Sequence, residues 1–431
     1  MKRDVLFLCT ANACRSQMAE GLARSLLPPD VVVYSAGTKP SSPDPRALYV
    51  LSELGIDTTG MRSKSLGEIP MDNIGTVITL CDSAQTECPT IPGTKSVHWS
   101  MPDPAQAGTG DEALPTFRAV RDDLLGRIAR LAKQLAPLPA LGIVGGSGFY
   151  DLAGLENVRE LSVTTPFGAP SGAVVEGMLH GKRVVFLARH GKGHRLLPSE
   201  INARANIVAL KRCGVKALLS VSAVGSLRQE IAPGDVVFAD QFIDRTMGRP
   251  STFFGGGVVA HVSLADPTCK RLTPIVQNAA VHEGANVHQR GTYVCVEGPQ
   301  FSTRAESHLF RQWGADVVGM TNLPEARLAR EAEICYVPMA LPTDYDSWRP
   351  HDEVRASDAL AVLAANVEKA KRIVHRAIAS VDLAAPCSCQ VALDTALVSD
   401  ANKLEPSVAV RFAALLARKT VTASALDGVA V

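Results

Sequence analysis

The sequence has almost no excess charge of either sign, because 44 lysines and arginines face 43 aspartates and glutamates and the net charge is +1. This balance gives no electrostatic basis for binding nucleic acid or an anionic membrane surface. No apolar run reaches the length of a membrane-spanning helix, and the apolar part of "MKRDVLFLCT" is too short for a secretory signal. We therefore expect a cytoplasmic protein without a nucleic-acid or membrane partner.

Internal repeats and low-complexity tracts are also lacking, whereas ten cysteines are present. Ten thiols in 431 residues are too sparse for a disulfide scaffold. In a reducing compartment, clustered cysteines more often serve redox chemistry, catalysis or metal binding. The chain is also too long for one typical hydrophobic core, so we expect two domains.

A short proline-rich stretch, Pro137-Leu138-Pro139, separates two α/β patterns. Proline fixes φ and disfavours helix in the preceding residue, which is typical of a stiff linker. We place a first domain at 1–136, a linker at 137–141 and a second domain at 142–431. In the first domain the strand-like runs Val5–Cys9, Val31–Ser35, Thr76–Cys81 and Lys95–Trp99 alternate with helical patterns, which predicts a parallel sheet with flanking helices. Runs such as "RVVFLARHG" and "KALLSVSAVGS" predict a second α/β domain.

The first stretch with a chemical signature is "VLFLCTANACRS", in which Cys9 ends a strand, Arg15 follows six residues later and a helix is expected to begin near Ser16. Backbone N–H groups of such a loop turn inward, and the helix adds its positive end. Arg15 can grip a tetrahedral oxyanion through two parallel hydrogen bonds, and the same field stabilises a nucleophilic Cys9 thiolate. A buried structural cysteine beside an unrelated arginine is the simpler alternative, but the flanking strand and helix favour the functional interpretation.

The longer run "VLFLCTANACRSQMAEG" resembles the phosphate-binding loop of low-molecular-weight tyrosine phosphatases and of thioredoxin-coupled arsenate reductases, which share one fold. This resemblance implies that Cys9 and Arg15 are catalytic. It also implies an oxyanion loop that includes Thr10, Asn12, Cys14 and Ser16.

A second segment, "VITLCDSAQTECPTIPGTKSVHWSMPDPA", distinguishes the two activities, because a phosphatase needs one cysteine and a reductase needs further thiols. By resemblance, Cys9 attacks arsenate, Asp103 protonates the departing oxygen, Cys81 attacks Cys9 and releases arsenite, and Cys88 carries the disulfide to a thioredoxin-like reductant. No step is assigned to Cys14. A phosphatase acting on phosphotyrosine or a small phosphoester stays open as an alternative, and so does a thiol-based oxidation sensor.

From about Gly142 onward the chain resembles the methylthioadenosine phosphorylase branch of the trimeric purine nucleoside phosphorylases, which implies an α/β domain with a mixed sheet. The resemblance runs through the separate segments "GGSG", "ARHG", "SVSAVGS", "GMTN", "EGPQFSTRAE" and "TDYDSW". Each segment alone is a weak signal, and their ordered combination carries the interpretation. The implied phosphate-binding residues supply one arginine, short hydroxyls and backbone donors, as a dianion requires: Ser147, Arg189, His190, Ser222, Ala223 and Thr321.

The same resemblance implies a nucleoside site formed by Phe301, Ser302, Met320, Asp344 and Asp346. Phe301 would stack on the purine and Met320 would lie against the ribose. A carboxylate accepts a hydrogen bond from an exocyclic amine and, when protonated, donates to N7, so Asp344 favours adenine over 6-oxopurines. We expect phosphorolysis of 5'-methylthioadenosine or a related 6-aminopurine nucleoside, with phosphate as co-substrate; a general purine nucleoside phosphorylase is the alternative.

Several features remain. His261 and the C-terminal segment resemble parts that reach a neighbouring subunit's pocket, which implies a homotrimer. The pair Cys387 and Cys389 could form an exchangeable disulfide or bind metal with outside ligands, but no His or Cys follows, and we expect a structural feature without metal. No tightly bound cofactor is expected. The remaining cysteines are expected to be buried without a role: Cys213, Cys269, Cys295 and Cys335.

Overall fold

The computed structural model describes residues 2–87, 91–146, 152–350 and 356–419, and the chain divides into two compact units. The first unit is formed by Met1–Pro137 together with Asp400–Val431, and the second by Leu138–Ser399. None of the helices in the described ranges combines the length and apolar character needed to cross a bilayer.

The first unit contains a four-stranded parallel sheet in the order β2-β1-β3-β4. Every residue of the first strand is buried, as expected for a central parallel strand covered on both faces. The predicted parallel α/β architecture is thereby confirmed. The strands are β1 (Asp4–Cys9), β2 (Val33–Gly37), β3 (Ile74–Thr79) and β4 (Lys95–His98).

The helices of this unit pack around one core that includes Phe7, Met18, Leu22 and Phe117. Four of them come from the N-terminal part and one from the C-terminal part of the chain. They are α1 (Arg15–Leu26), α2 (Pro45–Ser52), α3 (Asp82–Glu87), α4 (Leu114–Gln134) and α10 (Pro406–Leu416).

The division of the chain differs from the expected domain limits at two places. Strand β5 begins at Ala140, inside the segment 137–141 that was expected to be linker. Helix α10 groups with the first unit, although its residues were assigned to a second domain running to 431. The reason is apolar packing, since Val410 lies against the same core as Leu22 and Phe117.

The second unit contains a mixed sheet, as predicted, with the path β11-β13-β14-β9-β5-β8-β7-β6 and with β15 paired parallel to β9. Its longest strand, β9, also pairs parallel with β5 and antiparallel with β14. The strands are β5 (Ala140–Gly145), β6 (Glu156–Leu161), β7 (Val174–Leu179), β8 (Lys182–Ala188), β9 (Val215–Ser226), β10 (Val236–Val237), β11 (Gln241–Arg245), β12 (Val287–His288), β13 (Thr292–Val296), β14 (Val317–Gly319) and β15 (Cys335–Asp344).

The described residues of this unit contain five α-helices, and its largest apolar core joins α6 and α9 to β15, β9 and β8. Helix α7 begins with a capping box, in which Thr303 accepts from the Glu306 N–H and the Glu306 carboxylate accepts from the Thr303 N–H. The helices are α5 (Ala203–Arg212), α6 (Thr273–His282), α7 (Arg304–Gln312), α8 (Asn322–Glu331) and α9 (Ala356–Ser380).

Two candidate active sites

The loop between β1 and α1 is held open by hydrogen bonds to its carbonyl groups, which leaves its N–H groups available on the other side. The segment that follows β2 donates to these carbonyls: Thr38 N to Cys9 O (3.3 Å), Lys39 N to Thr10 O (2.8 Å), Ser41 N to Ala11 O (2.9 Å) and Asp44 N to Ala13 O (3.0 Å). A loop fixed in this way is prepared for an anion before one arrives.

Asn12 stabilises the turn of this loop with both its backbone and its side chain. Its φ of 48° lies in the left-handed region, which asparagine tolerates better than most residues. Its side-chain Nδ2 donates to Ser16 Oγ and Ser35 Oγ, each at 2.8 Å, and its Oδ1 accepts from Lys64 N at 2.7 Å. In the predicted oxyanion loop, Asn12 therefore has a structural role: its side chain holds the loop in its conformation through these hydrogen bonds.

The Cys9 sulfur lies within hydrogen-bond distance of two neighbouring groups, at the N-terminal end of α1. Asn12 N donates to Cys9 Sγ at 3.2 Å, and the Ser16 hydroxyl lies 2.9 Å from the same sulfur. Helix α1 begins at Arg15 with no side-chain cap and no acidic residue in its first turn, so its N-terminal N–H groups remain open to an anion. Hydrogen bonds and the helix dipole act together on one sulfur.

Arg15 and Asp103 are joined by an ion pair across the mouth of the loop. Arg15 Nη2 lies 2.8 Å from Asp103 Oδ2, and Arg15 Nη1 donates to Met101 O at 3.1 Å. The guanidinium is buried, whereas the carboxylate is partly accessible. The predicted oxyanion arginine and the predicted general acid are therefore next to each other.

Cys81 lies just after the end of β3, the strand that pairs with β1 in the sheet. Its sulfur lies 3.4 Å from Thr10 Oγ1. A cavity of about 1010 Å³ is lined by Cys9, Arg15, Cys81 and Asp103 together. The structure thus gathers the predicted catalytic residues of the first unit except Cys88, which lies outside the described residues.

Cys14 lines the same cavity but has a different environment. Its thiol donates to Asp44 Oδ2 at 3.6 Å. Burial and the Asp44 carboxylate raise the pKa of Cys14 to about 12, so this thiol stays protonated near neutral pH. That environment does not make a nucleophile, in keeping with the absence of an assigned step.

In the second unit, strand pairing brings three of the six predicted phosphate residues toward one another. Ser222 and Ala223 lie on β9, and β14 runs antiparallel to the end of that strand with Val318 opposite Gly225. Continuing the pairing carries Thr321 toward Ser222, and Ser222 Oγ indeed donates to Asn322 Oδ1 at 2.9 Å. Ser147 lies outside the described residues.

Arg189 is buried and held from several sides. Nε lies 3.0 Å from Glu325 Oε2, Nη1 donates to Val221 O at 2.9 Å, and Nη2 donates to Ser220 Oγ at 2.7 Å. A cavity of about 330 Å³ is lined by Arg189 and Thr321. Within the described part of the chain Nη1 has a single acceptor, Val221 O.

His190 is a neutral acceptor in this structure. Its Nδ1 lies 2.8 Å from Leu196 O, and because a carbonyl only accepts, Nδ1 carries the proton. Burial lowers the pKa of His190 to about 4, so the ring is uncharged near neutral pH. Its Nε2 can therefore bind a phosphate only by accepting a proton that the phosphate carries.

Asp344 ends β15, one strand away from the Ser222 region, and Asp346 follows it closely. Asp344 accepts from Thr343 Oγ1 at 2.7 Å and from Asp346 N at 2.8 Å. Burial raises the pKa of both carboxyl groups. Asp346 Oδ2 is buried and has no hydrogen-bond partner in the described ranges. Both groups are therefore suited to hold a proton.

Met320 is fixed by two neighbours. A Cβ added at Gly298 would lie 2.5 Å from Met320 Sδ, so this position, with φ of 68°, requires glycine. Arg249 Nη1 donates to Met320 O at 2.7 Å. Phe301 is 46% exposed, so its ring face is accessible, and Ser302 is half-buried. Phe301, Ser302 and the two aspartates do not line the cavity that Arg189 and Thr321 share.

Comparison with protein families identifies a family for each unit. Residues 140–379 match the family model described as the phosphorylase superfamily, which is more than half of the chain. The chain belongs to the phosphorylase superfamily. Residues 4–137 match a second model, low molecular weight phosphotyrosine protein phosphatase, and the first unit is a domain of that type.

Known members of the phosphorylase superfamily resemble the second unit closely. S-methyl-5'-thioadenosine phosphorylase of Geobacter sulfurreducens is 55% identical over 262 residues, covering 60% of this chain and 92% of that protein. The corresponding protein of Thermofilum pendens is 51% identical and covers 60% and 98%. A methylthioadenosine phosphorylase structure from an antarctic soil metagenomic library is 48% identical, covers 64% and 98%, and has a TM-score of 0.62. A Schistosoma mansoni methylthioadenosine phosphorylase in complex with adenine is 38% identical, covers 57% and 93%, and has a TM-score of 0.54.

The structure of this phosphorylase superfamily member also shows residues that sequence reasoning missed. Glu325 pairs with Arg189, and the Tyr336 hydroxyl donates to Glu325 Oε1 at 2.9 Å. Asn322 Nδ2 donates in turn to the Tyr336 hydroxyl at 2.9 Å. In "NLPEARLAR" the glutamate looks like an ordinary acid in the first turn of a helix. Only the burial of Glu325 could have identified it as a functional residue, and the hydrophobic periodicity of the sequence does not reveal that burial.

Proposed function

We propose that the second unit cleaves 5'-methylthioadenosine with phosphate, giving adenine and 5-methylthioribose 1-phosphate. The observation that carries the proposal is the pair of carboxyl groups at the end of the strand beside β9, where Asp344 is half-buried, Asp346 is buried and the pKa of each is raised. The identity of 55% to a curated S-methyl-5'-thioadenosine phosphorylase supports the same conclusion.

In the proposed reaction a phosphate oxygen attacks the anomeric carbon while the carbon–nitrogen bond to the base breaks. The electron pair of that bond goes to the purine, which takes a proton at N7. The raised pKa of Asp344 lets this group hold and deliver the proton. Asp346, whose pKa is raised in the same way, completes the contacts to the base.

At the other end of the site, Arg189, Ser222, Thr321 and the Ala223 N–H would hold the phosphate. Neutral His190 would accept the proton of a monohydrogen phosphate, which orients its unprotonated oxygens toward the sugar. These donors act where charge shifts during the reaction, and they are in place beforehand.

Steady-state assays of the full chain test this function. We expect adenine release from 5'-methylthioadenosine that depends on phosphate, with kcat/KM well above that for adenosine and for inosine. Equal rates with inosine would instead support a general purine nucleoside phosphorylase. Absence of phosphate-dependent adenine release would reject the proposal.

We further infer that the first unit reduces arsenate. Cys81 supports this proposal, because its sulfur lines the Cys9 cavity and lies 3.4 Å from Thr10 Oγ1, a position that a phosphatase does not need to fill with a thiol. Arg15 and Asp103 supply the oxyanion contact and the acid in the same cavity.

The proposed steps balance as follows. The Cys9 thiolate binds arsenic and displaces water, with Asp103 donating the proton. Cys81 then attacks the Cys9 sulfur, a disulfide forms, and the electron pair of the sulfur–arsenic bond leaves with arsenite. Cys88 attacks Cys81 and frees Cys9, and a thioredoxin-like dithiol reduces the remaining disulfide. Each exchange requires the segment carrying the second thiol to approach within bonding distance.

Hydrolysis of a phosphoester is the second candidate, because the matching family model carries that name and Cys9, Arg15 and Asp103 are sufficient for it. The variants Cys81→Ser and Cys88→Ser separate the two. Reduction of arsenate with thioredoxin should be lost in both variants and in Cys9→Ser. Phosphoester hydrolysis at full rate in wild type and in both resolving-cysteine variants, without any arsenate reduction by wild type, would establish the phosphatase instead.

A further inference from the structure

Four cysteines that are distant in the sequence meet in the second unit. Their Sγ atoms all lie within 4.8 Å of one another, and three of the four residues are buried. Cys269 precedes α6, Cys335 begins β15, and Cys387 and Cys389 belong to the segment that follows α9. Sequence reasoning considered only the last two as a possible pair and expected no metal.

The spacing of these sulfurs suits a tetrahedral ion. Zinc binds thiolates at about 2.3 Å, which places the sulfurs of a tetrahedral site about 3.8 Å apart. Cys269 Sγ and Cys387 Sγ lie 3.6 Å apart. A disulfide requires about 2.05 Å between its sulfurs and brings together two cysteines only. Four mutually neighbouring sulfurs are what a single ion needs.

Hydrogen-bond donors and two arginines around the four cysteines can offset the negative charge of their thiolates. Leu272 N donates to Cys269 Sγ at 3.4 Å, and Arg330 Nη1 donates to Cys389 Sγ at 3.7 Å. The Arg271 guanidinium faces Cys387 and Cys335. Four thiolates around a divalent ion carry two net negative charges, and the two arginines compensate them. Such partners outside the ligands stabilise metal-bound thiolates.

An opening to the cluster is present as well. A cavity of about 400 Å³ is lined by Cys387 and Cys389 together with Arg271 and Arg330. Cys387 is the half-buried member of the four. An ion can therefore arrive from the side on which the two close cysteines lie.

We propose that Cys269, Cys335, Cys387 and Cys389 form a tetrathiolate site for Zn²⁺. Binding replaces four thiol protons by one ion, and no oxidation or reduction is involved. With four protein ligands and no open position, the ion has a structural role.

The expected consequence is to anchor the segment that follows α9. Beyond Cys389 this segment pairs with the loop that carries His261: His261 N donates to Ala396 O and Val398 N donates to Val259 O, each at 2.9 Å. An ion shared by Cys335 of the central sheet and Cys387 of this segment would hold that loop in place.

Metal analysis of the full chain tests the proposal. Protein expressed in zinc-containing medium and purified with a phosphine reductant should contain one zinc ion per chain, measured by inductively coupled plasma mass spectrometry. The double variant Cys387→Ser/Cys389→Ser should lose it. The variant Cys9→Ser/Cys81→Ser should retain it, which excludes binding by these two cysteines of the first unit.

Spectroscopy on the wild-type protein keeps the test independent of how the variants fold. X-ray absorption at the zinc edge should show four sulfurs at about 2.3 Å. Cobalt substitution should give the visible bands of tetrahedral thiolate coordination. Wild type without zinc, zinc retained in Cys387→Ser/Cys389→Ser, or an intact mass showing two disulfides among the four cysteines would each overturn the proposal.

Discussion

Glu325 and Arg189 form an ion pair in which both side chains are buried, with 3.0 Å between Glu325 Oε2 and Arg189 Nε. Two hydroxyl groups, of Ser220 and Tyr336, also donate to the same carboxylate. A buried guanidinium needs such a partner, because leaving it uncompensated costs about 3–5 kcal/mol. Under the proposed function Glu325 does not itself need to touch phosphate, and its role is to position Arg189, which would bind it.

The variant Glu325→Gln should therefore weaken phosphate binding more than nucleoside binding. Loss of a hydrogen bond to a charged group costs about 1.5–3 kcal/mol, which corresponds to a rise in KM for phosphate of roughly ten- to hundredfold. We expect KM for 5'-methylthioadenosine to change much less. Arg290→Gln, at a well-exposed arginine, is the matched control. Equal rises in both KM values would indicate general damage instead of positioning.

Asp344→Asn tests the proposed acid. An amide cannot deliver a proton to N7, and general acid catalysis contributes about a hundredfold or more, so kcat for 5'-methylthioadenosine should fall by at least that factor. Relative activity with inosine should rise, because the asparagine amide can donate to a 6-oxo group. The measurement is kcat/KM for both nucleosides, and an unchanged ratio would contradict the assignment of Asp344 to the base.

Asp346→Asn should make the second unit more stable while making it less active. Burial raises the pKa of Asp346 from its ordinary value of 3.8, so the folded unit holds the charged form at a cost. Removing that charge should stabilise the folded unit near neutral pH. Below pH 3.8 the unfolded chain is protonated as well, and the gain should vanish. Thermal unfolding of both proteins across pH measures this, and a gain independent of pH would rule out the charge as its cause.

The first unit allows a test with two glycines. A Cβ at Gly37 would lie 2.7 Å from Thr10 O and 2.9 Å from Asn12 N, so Gly37→Ala should displace the anion loop. We expect arsenate reduction or phosphoester hydrolysis to fall strongly, while adenine release by the second unit is unchanged. Gly67→Ala is the control, since nothing lies within 4 Å of a Cβ there. Full first-unit activity in Gly37→Ala would show that the loop does not depend on this close approach.

The sequence predicted most of the fold and the local motifs, because these depend on neighbouring residues. Alternating strand and helix patterns predicted the parallel sheet, and "VLFLCTANACRS" predicted the strand, loop and helix that hold Cys9 and Arg15. The features that the sequence did not predict depend on residues that are far apart in the chain. Cys269 and Cys335 lie beside Cys387 and Cys389 only because β15 and the approach to α6 come together in the core.

Glu325 was missed for a related reason. Its partner Arg189 is 136 positions away, and nothing in the spacing of either motif reports the pairing. The assignment of α10 to the second domain failed likewise, since its apolar face matches a core formed more than 250 residues earlier. In each case long-range packing, which no local pattern contains, decided the outcome.

Arsenate links the two proposed activities, because arsenate and phosphate are tetrahedral oxyanions of nearly the same size and charge and both proposed sites can bind arsenate. A site built from Arg189, Ser222 and Thr321 loses no hydrogen bond when arsenate replaces phosphate, so it cannot reject arsenate sharply. Arsenate should therefore support adenine release from 5'-methylthioadenosine without accumulation of a sugar ester, since sugar arsenates hydrolyse. Failure of arsenate to support turnover would remove this link between the units.

If arsenate does enter the second site, the first unit should protect the reaction. In a mixture of phosphate, arsenate and a thioredoxin reducing system, wild type should convert arsenate to arsenite over time, and the yield of 5-methylthioribose 1-phosphate per adenine should recover. Cys9→Ser should release adenine at the same initial rate without any such recovery, because only its first site is disabled. Recovery in Cys9→Ser equal to that in wild type would mean that the chain does not remove arsenate, whatever the second unit does with it.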